Sequence, residues 1–172
     1  RYAEHKRLKS PADADVYYYK GTGFIADVKQ ALVEALTKFL GCSEVEVRVI
    51  SGQMANAAVF SGIVHYLNRD RADRRVEPRR LRSVMNHLLG AGGHLSAQPM
   101  GALRDFVSVD PLTERWAVVN FPVTADYGYR IDLERAAELV DAHRPELLIL
   151  GKSMILHPEP VKELAQLIEG IE

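Results

Sequence analysis

The sequence predicts an α/β fold, a mostly parallel sheet with helices on both faces. Three observations carry the prediction. Short apolar runs alternate with stretches of helical period. Each of three runs is followed by a small polar or glycine-rich turn: "SGQ" at 51–53, "GAGGH" at 90–94 and "GKS" at 151–153. Such turns fall where a parallel sheet places its ligands, at the carboxyl ends of the strands.

The elements follow in order. "FIADVKQALVEALTKFLG" repeats apolar residues at Phe24, Val28, Ala31, Leu32, Ala35, Leu36 and Phe39, a helical period, and Gly41 is its stop signal. "VEVRVI" at 45–50 alternates valine with charge and predicts a strand. "QMANAAVFSGIVHYLN" predicts an apolar helix starting after Ser51-Gly52. "RLRSVM" at 80–85, "RDFVSV" and "WAVVNF" predict short strands. "DLERAAELVDAH" at 132–143 predicts an amphipathic helix with Asp132 as its N-cap. "ELLILG" at 146–151 predicts a buried strand, and "PEPVKELAQLIEGI" a helix opened by proline.

Composition narrows the function classes. The 172 residues carry a net charge of −1, with 47% hydrophobic and 26% charged residues, as in an ordinary globular domain. No apolar run reaches the ~18–20 residues of a membrane span, and the start has no signal-peptide pattern. One cysteine, Cys42, cannot close an internal disulfide, so a reducing, cytoplasmic setting is expected. No histidine or cysteine cluster has metal-ligand spacing, so no metal is expected. "RDRADRRVEPRRLR" at 69–82 holds seven arginines, but three acids interleave and no aromatic interrupts it. A solvated connection is expected there and not a nucleic-acid surface. "GKS" ends like a P-loop, but Glu146 stands where that motif needs glycine. Arg1 at the first position and the helical pattern running up to Glu172 suggest part of a longer chain.

Several segments together resemble the serine (glycine) hydroxymethyltransferase family of pyridoxal-phosphate enzymes. They are "YAE" at 2–4, "YYKGTGF" at 18–24, "SGQMAN" at 51–56, "GGHL" at 92–95 and Ser153, and they span nearly the whole chain. The resemblance implies part of the three-layer large domain of a fold-type I pyridoxal-phosphate transferase, its N-terminal half. Residues 1–23 would be an N-terminal segment and interface arm, and residues 24–172 the partial cofactor-binding domain. It implies interconversion of serine and glycine with tetrahydrofolate, or a related aldol cleavage of a β-hydroxy amino acid. The alternatives are another fold-type I enzyme such as an aminotransferase, or a non-catalytic scaffold subunit. "GGHL" argues against the aminotransferase.

By the same resemblance His94 stacks on the pyridine ring, with Gly92 and Gly93 giving the ring room. Ser51, Gly52 and Gln53 hold the phosphate, and Ser153 lies near the cofactor. Tyr2, Glu4 and Tyr19 enter from the neighbouring subunit of a homodimer or dimer of dimers. Glu4 moves protons during folate chemistry, and Tyr19 assists exchange of the amino acid on the cofactor. Tyr18, Leu89, Gly93 and Leu95 line a folate slot. The chain departs from the family pattern in four places. Gln53 replaces a phosphate-binding serine, the links 5–18 and 69–82 are longer, and the lysine that anchors the cofactor covalently has no counterpart. Lys152 precedes Ser153 at a strand end, the wrong place for that role.

Overall fold

A computed structural model describes residues 21–70 and 76–169. Tyr2, Glu4, Tyr18 and Tyr19 lie outside the described residues, as do 71–75 of the arginine-rich stretch. The described residues form two compact units that divide between Val49 and Ile50.

The first unit holds helix α1 (Gly23–Leu40). Gly41 ends it in the left-handed conformation, φ 66°, and donates its N–H to the Thr37 carbonyl, the ending that glycine tolerates best. The expected strand at 45–50 does not form among the described residues. These residues carry no strand pairing among the described residues. Alternating valines supply the propensity, but a strand exists only where another backbone accepts its hydrogen bonds.

The second unit is a three-layer sandwich. Its sheet has β1 (Val84–Asn86) in the centre, flanked by β2 (Val118–Asn120) and β3 (Leu147–Ile149), both parallel to it. The register aligns Val84 with Val118 and Leu147, and Asn86 with Asn120 and Ile149. Side chains alternate across a strand, so the two faces separate cleanly. Val84, Val118, Leu147 and Ile149 pack towards helix α2 (Gly52–Leu67), which presents Ala57, Phe60, Ile63, Val64 and Leu67 at helical spacing. Met85, Val119 and Leu148 pack on the opposite face with α3 (Leu133–His143) and α4 (Val161–Glu169), through Ala136, Val140, Leu164 and Leu167. This is the α/β architecture the alternation predicts.

The starts of α1, α2 and α3 hold to within a residue, while α4 begins at Val161, three residues into its predicted stretch. Asp132 caps α3, its carboxylate accepting from the Arg135 N–H at 3.1 Å. The Pro160 carbonyl accepts from Leu164 at the start of α4. The strands are shorter than the apolar runs. "RDFVSV" is not a strand: it enters as a short 3-10 turn (Ala102–Asp105) and adds only single bridges, Leu81 to Val107 and Val109 to Trp116. A 3-10 turn there buries Ala102 and Leu103 against the α2 side of the core.

Candidate functional site

At the carboxyl edge of the sheet, three chain segments meet around a cleft of about 310 Å³. Gly52, Ala55 and Asn56 come from the first turns of α2. His94, Ser96 and Ala97 come from the turn after β1, and Ile149, Gly151 and Lys152 from the end of β3.

The α2 wall is a helix N-terminus. Ser51 is extended (φ −158°, ψ 157°), and its Oγ accepts from the Met54 N–H at 3.1 Å. Its carbonyl accepts from Ala55 at 2.9 Å. The N–H groups of Gly52 and Gln53 belong to the first turn, where the helix itself offers no acceptor. No acid occupies that turn, so the positive end of the helix dipole stands uncompensated.

The facing wall is built from amide and hydroxyl side chains. Asn56 donates to Ser96 Oγ at 2.5 Å, and that oxygen is 2.6 Å from His94 Nδ1. The Ser96 N–H donates to the same Nδ1 at 3.1 Å. A ring nitrogen that accepts a main-chain N–H carries no proton in the neutral ring, so the proton of His94 sits on Nε2. Below this layer Asn120 donates to Asn86 Oδ1 and Asn86 donates to the Ala97 carbonyl, each at 2.6 Å. Gln98 donates to the His87 carbonyl at 2.7 Å. Ser96 and Asn86 are fully buried. The strand end and α2 therefore hold the His94 turn by hydrogen bonds.

The structure brings His94 and Gly52 into one cleft and places Ser51 and Gln53 beside it. Leu89 and Leu95 are exposed on the short 3-10 turns Leu89–Ala91 and Leu95–Ala97 and do not line it. Nor does Ser153, whose N–H donates to the Gly92 carbonyl at 2.9 Å. Gly92 and Gly93 sit beside crossing main chain and do not line the cleft. A side chain on Gly92, which has φ 89°, would meet the Met154 carbonyl at 2.9 Å, and one on Gly93 the His87 carbonyl at 2.3 Å. Both glycines exist because main chain crosses main chain there. Sequence reasoning missed Asn56, Ser96, Asn86, Asn120 and Gln98. The signal was an asparagine ending each of two apolar runs, "VMN" and "VVN".

Lys152 contributes to the cleft floor, but its amine points elsewhere. The side chain is 2% exposed, with Nζ 2.6 Å from Glu159 Oε1 and donating to the Tyr129 carbonyl at 2.8 Å. Glu159 Oε2 lies 3.5 Å from His87 Nε2. His87 packs on Phe121, ring centres 4.9 Å apart. Burial, and secondarily the Lys152 charge, pulls its imidazole down to about 4. Unfolding returns it to the ordinary histidine range near 6.5, so the unfolded chain binds the extra proton between those values. This group's contribution is full above about pH 6.5 and is lost as pH falls towards 4, at about 1.4 kcal/mol per unit. Urea denaturation between pH 7 and 4.5 should show that slope, and His87→Gln should flatten it.

Among the described residues no three His, Cys, Asp or Glu side chains converge to hold a metal ion. No described helix is long and apolar enough to cross a membrane.

The second unit has the layer order and edge cleft of a fold-type I α/β domain. No family model matches the chain. Individual proteins do. A serine hydroxymethyltransferase of Pyrobaculum calidifontis is 31% identical over 154 residues, 90% of this chain and 30% of that protein. Serine hydroxymethyltransferases of Thermococcus kodakarensis and Korarchaeum cryptofilum are 29% and 27% identical, over 90% and 89% of this chain. Over nearly all of its length the chain is similar in sequence to serine hydroxymethyltransferases. It spans about 30% of the length of the relatives it matches. These relatives favour neither the aminotransferase nor the scaffold alternative.

Proposed function

We infer that this chain contributes the phosphate- and ring-binding wall of a pyridoxal-phosphate-dependent serine hydroxymethyltransferase. One observation carries the reading. The acid-free N-terminus of α2 and a histidine held by its Nδ1 line the same 310 Å³ cleft. Helix N-termini with free amides suit phosphate, and a histidine fixed at one nitrogen presents a flat face to an aromatic ring.

The residues present fit the cofactor. The Gly52 and Gln53 N–H groups would hold its phosphate. The Ser51 hydroxyl, whose lone pair already caps α2, keeps its proton to donate. The Gln53 side-chain amide, exposed beside them, can donate where relatives of this family carry serine. Bound there, pyridoxal phosphate supplies an electron sink for the bond broken at the amino acid α-carbon. Ser96 and Asn56 hold the His94 ring in place. Ser153 stands two residues beyond Gly151 on the β3 side. Glu4 would move the proton of the folate step, and Tyr2 and Tyr19 would complete the site from the neighbouring subunit of a homodimer or dimer of dimers. Tyr18, Leu89, Gly93 and Leu95 would border the tetrahydrofolate. The setting is cytoplasmic. The division into an arm, 1–23, and a cofactor-binding domain, 24–172, belongs to the same reading.

Titration of the intact protein with pyridoxal phosphate, followed by absorbance, tests the reading together with serine–glycine turnover. His94→Ala should weaken cofactor binding about fivefold, since ring stacking is worth on the order of 1 kcal/mol beyond burial. Unchanged affinity in that variant, or no saturable binding in the parent, refutes it.

A further inference from the structure

The Lys152–Glu159 pair is placed oddly for a stabilising element. A buried ion pair contributes little over apolar residues of the same size, and is best retained where it fixes one arrangement among several. Here the arrangement can be followed residue by residue. The main chain of Lys152 bridges Gly93, and the N–H groups of Ser153 and Met154 both reach the Gly92 carbonyl, at 2.9 and 3.3 Å. On its other side Gly93 presses on the His87 carbonyl, where a Cβ would stand 2.3 Å away. The His87 ring in turn lies 3.5 Å from Glu159, the carboxylate that binds the Lys152 amine. His87 Nε2 makes no hydrogen bond, so its approach to Glu159 is a packing contact, and only that contact closes the path from His87 through Gly93, Lys152 and Glu159. That path encloses the residue immediately before His94.

We propose that Lys152 and Glu159 form a buried clamp that positions His94 in the cleft. Lys152 acts through its ion pair and its main-chain bridge to Gly93, and Glu159 through Lys152. The Tyr129 carbonyl adds a third anchor, tying the clamp to the turn at 124–130. Lys152 is thus a positioning residue, and its amine stays engaged while its backbone borders the ligand space. The ligand part of this proposal rests on the cofactor reading above; the positioning part does not.

The test uses the intact protein with Lys152→Met, Glu159→Gln and the double change Lys152→Met/Glu159→Leu. Three quantities are read: denaturation midpoint, the His94 imidazole cross-peak (assigned with His94→Ala), and affinity for pyridoxal 5′-phosphate and for inorganic phosphate. Each single change should lower the midpoint, because it strands a buried partner. The double change should restore most of the midpoint, yet leave the His94 cross-peak shifted. It should also leave pyridoxal phosphate binding about fivefold weaker and inorganic phosphate binding unchanged, since the α2 amides are untouched. If the double change returns the His94 signal to that of the parent, the pair serves stability alone and the proposal is overturned. Amide exchange in the unaltered protein gives a check that needs no variant. Ser153 and Met154 N–H should exchange among the slowest of the 151–159 segment, and rapid exchange there overturns the clamp. Should the parent fail to bind pyridoxal phosphate while the His94 signal still answers to the clamp, the cofactor reading falls and the clamp stands.

Discussion

Alanine at position 93 should destabilise the second unit by about 3 kcal/mol, at the upper end of the usual cost of overpacking. The added methyl would lie 2.3 Å from the His87 carbonyl oxygen and 2.9 Å from that of Leu88. Both obstacles are main chain. The His87 carbonyl accepts from Gln98 and the Leu88 carbonyl from Gly93 itself, so neither can swing aside without breaking a hydrogen bond. For a unit of this size each kcal/mol moves the midpoint by roughly 2–4 °C, which gives a fall of roughly 10 °C. Gly90→Ala is the matched control. It lies three residues away, where a methyl would meet nothing within 4 Å. Thermal denaturation of the two variants decides: equal shifts would mean that the turn gives way and that Gly93 is not a crossing point.

The second large effect is expected at Glu4. In the proposed enzyme it moves a proton during folate-dependent transfer. Positioned proton transfer contributes roughly 10²–10⁴-fold. Glu4→Gln keeps the shape and removes the proton, so serine-to-glycine turnover with tetrahydrofolate should fall by at least ~100-fold. Pyridoxal phosphate binding should stay within a factor of two, and folate-independent cleavage of a bulky β-hydroxy amino acid should suffer much less. Turnover with and without tetrahydrofolate is measured on the same preparation. Parallel loss in both assays removes Glu4 from the proton path, and full activity returns it to solvent.

Much of the fold was legible because its signals are local. The periods of α1, α2 and α3, the Gly41 stop and the Asp132 cap lie within a few residues of what they determine. The parallel sheet was legible from unbroken runs such as Leu147–Leu150, which only burial on both faces explains. The 45–50 segment was misread because alternation states a preference for extended backbone and says nothing of a partner. The "RDFVSV" stretch was misread for the opposite reason: it alternates, but Leu103 just before it and Val107 within it are core residues at helical spacing. At the site, the turn carrying His94 was legible as a motif, but what holds it was not. Asn86 and Asn120 look like ordinary loop amides until the register sets them side by side. Lys152 and Glu159 are seven residues apart with no regular element between them, and they meet only because 153–158 folds back on itself.

The central position of β1 has a consequence for synthesis. Its register partners lie 34 and 63 residues further along the chain, Val118 and Leu147 opposite Val84. Contacts at such separations form late, since loop closure must precede them. On a ribosome adding about 5–20 residues per second, β1 waits roughly 3–12 s for β3 to emerge. Throughout that interval one edge of β1, and the apolar flank of α2 beside it, has nothing to pair with. The cleft has its α2 and His94 walls long before its floor. A nascent chain therefore passes through a state that chaperones should recognise, and slow decoding between residues 120 and 147 should lower soluble yield more than the same delay placed after Glu159.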